Sequence, residues 1–232
     1  MAPKLEFDPQ DPYPLLDPGT YTYAELKTHA DQVDAWLGLQ VSKVETALVA
    51  TQGRGPAARG ESVGLQPETW IGVAPSTFLT PYAELREMIE RLAPPPGARF
   101  VDLGAGYGRL GFVLGRHFAE AHFLGYELVA ERVAEGMLAL ERQGCQQARL
   151  VTTNLAASDF RTERADFYFI YDFGERAAIE KVLGDLREVA RSGALTVIGR
   201  GRATRDAIER GHPWLAGVRT AEHCGNYSIY RS

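Results

Sequence analysis

Arg99-Phe-Val-Asp-Leu-Gly-Ala-Gly-Tyr-Gly108 is the stretch that decides the fold: a short apolar run ends on an acid and enters a glycine-rich turn. The run predicts a strand over 99–103, and the residues after the glycines predict a helix over about 108–118. Glycine accepts backbone angles closed to other residues and lets a ligand approach the main chain closely. A helix opening there adds free N–H groups. In an open α/β sheet such a turn lies outside the carboxyl ends of the strands, where ligands bind.

Downstream, short apolar runs alternate with helical patterns. Strands are expected at 121–127, 148–152, 166–171 and 194–198, with helices at 130–143 and 176–191 between them. The last helix carries Ile179, Val182, Leu183, Leu186 and Val189 on one face. Such alternation implies right-handed crossovers and a parallel sheet covered on both faces. A short helix near 203–210 precedes two terminal strands, Gly217-Val-Arg-Thr220 and Asn226-Tyr-Ser-Ile-Tyr-Arg231, expected to pair antiparallel. The fold class is therefore α/β: a doubly wound, mostly parallel sheet with an antiparallel C-terminal pair.

Upstream, Thr80 and Pro81 have the form of a helix cap and first position, followed by the stripe Leu85, Met88, Ile89 and Leu92. Pro94-Pro-Pro-Gly97 ends that helix. Prolines crowd the first 20 residues and argue against regular structure there. Thr22-Tyr-Ala-Glu25 reads as a capping box before Leu26, Ala30, Val33 and Leu37, with Gly38 as a stop. Ser42-Lys-Val-Glu45 repeats the cap signature ahead of Leu48 and Val49. Residues 53–64 hold many glycines and almost no apolar mass, which predicts a mobile loop. The chain thus divides into residues 1–66, a helical extension or lid with a glycine-rich loop, and residues 67–232, the sheet domain.

The 232 residues suffice for one buried core plus an appendage. Apolar residues at 45% and charged residues at 24% are ordinary globular values. A net charge of -5 argues against a broad electrostatic grip on nucleic acid, although Arg200, Arg202 and Arg205 could form a local basic patch. Cys145 and Cys224 are in no metal-binding spacing, and the five histidines are scattered. No run is apolar enough for a signal peptide or membrane span, so a reducing, cytoplasmic setting is expected.

Gly106-Tyr-Gly108-Arg-Leu-Gly111 matches the dinucleotide pattern G-x-G-x-x-G, but its first glycine comes four residues after Asp102, late for a turn that follows the strand directly. An acid beside a pyrophosphate is also repulsive. A ligand with an amino group and a sulfonium welcomes it. The next strand ends Phe123-Leu-Gly-Tyr-Glu127, placing a second carboxylate where ribose hydroxyls would sit.

The segment Asp102-Leu-Gly104-Ala-Gly106-Tyr-Gly108 resembles the first motif of class I S-adenosylmethionine-dependent methyltransferases, and Gly125-Tyr-Glu127 resembles their second. That resemblance, over about residues 75–200, implies S-adenosyl-L-methionine as cofactor, with Asp102, Gly104, Ala105 and Gly106 at the methionine moiety. Glu127 and Leu128 would serve the ribose, and Asn154 and Leu155 the adenine, although many such enzymes carry Asp at the position of Asn154. Pro75-Ser-Thr-Phe-Leu-Thr-Pro-Tyr82 ahead of these motifs resembles non-SET protein lysine methyltransferases. There Ser76 and Thr77 would face the methionine end; otherwise they cap the following turn.

The motif that sets acceptor chemistry in many such enzymes reads Phe169-Ile-Tyr-Asp-Phe-Gly174. It is neither Asn/Asp-Pro-Pro-Tyr nor the asparagine-rich form of histone-methylating relatives. Tyr171 and Asp172 are the candidate catalytic residues: Asp172 would orient an amine or receive its proton through water, unless it simply caps the next helix. Tyr171, Phe173, Trp70 and Tyr82 could build an aromatic channel that lowers an acceptor lysine's pKa from about 10.4. Expected partners are therefore protein lysines or small-molecule amines, with a small-molecule O- or N-methyltransferase or a non-catalytic cofactor-binding protein as the alternatives.

Overall fold

The computed structural model describes residues 5–52 and 70–232. The glycine-rich loop expected at 53–64, and the hinge it implies, lie outside the described residues.

The core is a sheet of β1 (Arg99–Leu103), β2 (His122–Glu127), β3 (Ala148–Thr152), β4 (Phe167–Tyr171), β5 (Thr196–Arg200), β6 (Glu222–Cys224) and β7 (Tyr227–Arg231). Its spatial order is β3-β2-β1-β4-β5-β7-β6. β1 through β5 pair parallel, and β7 joins β5 antiparallel with β6 at the edge. The order reverses between β1 and β4. That crevice is where an α/β sheet places its ligand.

Strand side chains alternate between two cores. Phe100, Phe123, Phe167 and Phe169 face one side, under α4 (Tyr82–Leu92), α5 (Arg109–His117) and α6 (Ala130–Arg142). Val101, Leu124, Tyr168 and Ile170 face the other, under α7 (Arg176–Ala190) and α8 (Arg202–Gly211). Ile179, Val182, Leu183 and Leu186 are fully buried, as their helical spacing requires. Among the described residues no helix is long and apolar enough to cross a membrane.

The N-terminal segment contributes α1 (Tyr23–Leu37) and α2 (Val41–Gln52). The Thr22–Glu25 capping box is formed in full, and Gly38 closes α1 in the left-handed conformation. Val33 and Leu37 enter the same core as the sheet. A one-turn helix, α3 (Pro75–Phe78), and another near the C-terminus, α9 (Pro213–Ala216), complete the elements.

Several boundaries differ from expectation. Ser42 does not cap α2, which starts one residue earlier, at Val41; Glu45 turns inward to an arginine instead of back to Ser42. Thr80 does not cap α4: Pro81 holds the cap position, and the Thr80 carbonyl accepts from Arg109. β5 runs two residues further than 194–198, because Arg200 is a buried strand residue. The terminal antiparallel pair exists, but its first strand is Glu222–Cys224 and not 217–220. Gly217 closes α9 onto the Pro213 carbonyl, and a two-residue turn at Gly225-Asn226 makes the hairpin.

Candidate active site

β1 runs directly into Gly104, whose φ of 99° is open to glycine and strained for other residues; Gly106 follows with φ 56°. The first left-handed residue therefore follows the strand at once, which is the register set by Asp102. The turn is stitched to β2 through its backbone. The N–H groups of Gly104 and Ala105 both donate to the Tyr126 carbonyl at 2.9 Å. Gly106 N–H donates to Glu127 Oε2, and Val129 N–H to Glu127 Oε1, each at 2.9 Å. Glu127 is thus oriented by main chain on both sides.

A cleft of about 860 Å³, counted out to its open mouth, lies over these strand ends. Asp102, Gly104, Ala105, Gly106, Glu127, Leu128, Asn154, Leu155 and Tyr171 all line it. The opposite wall is Trp70, Phe78, Leu79 and Thr80 from the segment before α4. Burial first, and the neighbouring Glu127 charge second, push the Asp102 carboxyl up to about 7. Such a group gains from a cation beside it. Asn154 Oδ1 accepts from Ala156 N–H at 2.8 Å, which fixes the amide at the rim and leaves its second lone pair.

Four expected site residues stand elsewhere. Asp172 turns its carboxylate away to α8, accepting from Thr204 N–H at 2.8 Å, Thr204 Oγ1 at 2.8 Å and Ala203 N–H at 3.3 Å. This helix-capping role holds its backbone at a strained φ of 32°. Ser76 and Thr77 lie within α3. The Ser76 residue borders a separate groove with Asp31 and Lys43, and the Thr77 carbonyl accepts from Tyr171 Oη at 2.8 Å. Tyr82 is fully buried, donating to Asp34 Oδ1 at 2.6 Å and stacked on Tyr13, so it belongs to the core and not to a channel.

Buried arginines frame the cleft. Arg109, in the first turn of α5, pairs through two nitrogens with Asp34 of α1. Arg132 of α6 pairs with Glu45 of α2 and lies 3.7 Å from Glu127. Arg200 pairs with Glu84, bonds Tyr23 and stacks on Tyr171 with its guanidinium 4.1 Å from the ring centre. None of these roles was anticipated. One signal was present: Arg132 lies on the same helical face as Gly136, Ala139 and Leu140, and a cation in an apolar stripe calls for a buried partner.

No family model and no curated protein matches the chain. Solved structures do. The pyocyanin biosynthetic protein PhzM matches at 18% identity with a TM-score of 0.53, over 81% of this chain and 68% of that one. A SAM-dependent methyltransferase from Aquifex aeolicus matches at 16% and 0.47, over 64% and 88%. TrmN from Thermus thermophilus matches at 17% and 0.49, over 66% and 48%, so the chain spans about half the length of that relative. The seven-stranded mixed sheet with its antiparallel C-terminal pair is the fold class the sequence implied, and PhzM shares that fold.

Proposed function

We propose that the chain is an S-adenosylmethionine-dependent methyltransferase that acts on an amine, either a protein lysine or a small molecule. The observation that carries the reading is the pairing of Asp102 and Glu127 at adjacent strand ends around a glycine turn. The residues fit the cofactor. Asp102, with its carboxyl raised to about 7, gains from the ammonium of a methionine moiety. Glu127 faces the cleft beside the turn as an acceptor for ribose hydroxyls, and Asn154, Leu155 and Ala156 offer a rim for the adenine.

When bound, the cofactor supplies a sulfonium-activated methyl group. The chain's own part is positioning, which alone is worth several kcal/mol of barrier. Asp172, committed to α8, is not positioned as a base, and Tyr171 is held by the Thr77 carbonyl and Arg200. Tyr171 would therefore shape the acceptor site instead of moving a proton. Trp70, Phe78 and Phe173 make the wall facing the turn apolar, which favours the neutral amine over its cation. Residues 1–66 act in this reading as a helical cover of the site, and 67–232 as the cofactor-binding domain.

Calorimetry should show one S-adenosylhomocysteine bound per chain. Labelled cofactor mixed with fractionated cell extract should label protein or small amines. Binding without transfer to any fraction would support a cofactor-binding scaffold, and label in RNA would overturn the amine assignment. Tight NAD binding with no affinity for S-adenosylhomocysteine would sink the reading altogether.

A further inference from the structure

We propose that Arg109, in the first turn of α5, binds the carboxylate at the amino-acid end of the cofactor, while Asp102 takes the ammonium. The inference rests on the cofactor reading above and extends it to a group that reading leaves without a partner.

The amino-acid end of S-adenosylmethionine carries an ammonium and a carboxylate together at neutral pH. Asp102 attracts the first and repels the second, so the carboxylate needs a donor of its own. Arg109 and Arg132 both line the cleft. Arg132 stands 3.7 Å from Glu127, on the ribose side. Arg109 stands at the turn. It directly follows Gly108 in the chain, and its Nη1 donates to the Thr80 carbonyl at 3.0 Å. Leu79, one residue earlier, lies so close to the turn that a Cβ at Gly106 would stand 3.1 Å from its Cδ2.

Arg109 is buried and held on three sides. Nε and one terminal nitrogen donate to the two Asp34 oxygens, the other terminal nitrogen donates to Thr80, and the guanidinium carbon lies 5.0 Å from the centre of the Tyr82 ring. These bonds use three of the five N–H groups of a guanidinium. One N–H on each terminal nitrogen is left for a ligand. A donor fixed before the ligand arrives spares the ordering cost that a loose side chain brings to binding. Arg109 lines the cleft and Asp34 does not, so the cation is the member of the pair that a ligand meets. The helix adds to the attraction. Gly108 holds the N-cap of α5 and no side chain caps it, which leaves the positive end of the helix to an anion.

The test is calorimetric titration of the full chain with S-adenosylhomocysteine and with its decarboxylated analogue, which keeps the amine and lacks the carboxylate. The unaltered chain should favour S-adenosylhomocysteine by about tenfold or more, the scale of one hydrogen bond to a charged group. Arg109→Met should remove most of that preference by weakening S-adenosylhomocysteine, and should leave the analogue nearly as tight as before. Arg109→Met also strands Asp34 in the interior, so Asp34→Leu with Arg109→Met carries the test if the single variant does not fold. A purely structural role predicts equal losses for both ligands and recovery of both in the double variant. A preference in the double variant equal to that of the unaltered chain would overturn the proposal. Equal affinity of the unaltered chain for the two ligands would overturn it as well, and leave the cofactor reading standing. If the unaltered chain binds neither ligand, the cofactor reading fails and takes the proposal with it.

Discussion

The floor of the cleft and the layer of α1 and α2 docked on arginines at its edge, a roof to the sheet and not a wall of the cleft, are built by opposite means. The floor is backbone: residues 102–108 and 125–129 shape it through left-handed glycines and main-chain N–H groups that end on Tyr126 O and Glu127. The roof is charge: Asp34 to Arg109, Glu45 to Arg132 and Tyr23 to Arg200 join α1 and α2 to the sheet domain across 75, 87 and 177 positions of sequence. Main-chain bonds survive most substitutions. A buried ion pair does not, because losing one partner strands the other without water. Outside its glycines and Glu127, the floor should therefore tolerate sequence change, and the roof should not.

The largest effect should come from Asp34→Ala, which leaves Arg109 buried with the Thr80 carbonyl and the face of Tyr82 but without its paired carboxylate. Breaking a buried pair this way costs about 3–5 kcal/mol, read in chemical denaturation. Asp34→Leu with Arg109→Met should recover most of that loss. A cost below about 1 kcal/mol for Asp34→Ala, the worth of a surface pair, would mean the roof is not held by charge.

Glu127 tests the floor where it meets ligand. Glu127→Ala should lose about 1.5–3 kcal/mol of cofactor binding, roughly ten- to a hundred-fold in Kd. Glu127→Gln should lose less, since its amide oxygen keeps either the Gly106 or the Val129 bond. Equal affinity in all three proteins would remove Glu127 from the site.

Asp102 should give a smaller, pH-dependent effect. Its folded pKa of about 7 lies above the ordinary 3.8, so its contribution to stability is fully present below about 4 and is lost as pH rises through 7. Cofactor affinity runs the other way. It should rise through about 7 as the carboxylate forms, by at most about tenfold per pH unit, and fall again as the ligand's amine deprotonates near 8. Asp102→Asn should abolish the rise. A rise that persists in the variant would assign it to another group.

Thr22→Ala should be the smallest, about 1 kcal/mol of stability from the lost α1 cap. Cofactor affinity should not change, because the Thr22 side chain bonds Glu25 at the exposed start of α1 and does not line the cleft. A fall in affinity would show that α1 transmits local fraying to the cleft.

The same contrast explains what could be read from sequence. The floor was legible because its parts are neighbours in the chain: Asp102 before Gly104, Gly125 before Glu127, each a local pattern with a local reason. The alternation of apolar runs gave the sheet for the same reason. The roof depends on pairings between residues far apart, and no periodicity announces that Glu45 will choose Arg132 over Ser42. Asp172 shows the limit at a single residue. Its position at the end of β4 suited a proton acceptor or a cap of the next helix, α7; instead α8 arrives from further along the chain, and Asp172 accepts from Thr204 there. The short strand Glu222–Cys224 was missed because three residues carry no alternation to detect.

The stretch from Trp70 to Phe78 is fastened across the mouth of the cleft by two bonds, Trp70 Nε1 to the Asp172 carbonyl at 3.2 Å and Tyr171 Oη to the Thr77 carbonyl. Both end on main-chain oxygens, which are the same whatever side chain the residue bears. The fastening is therefore blind to the identity of residue 77, while the indole and the phenol are its fixed parts. Residue 77 can be rewritten without undoing either clasp. A cleft built this way is closed by two fixed side chains and leaves residues 76 and 77 free to vary.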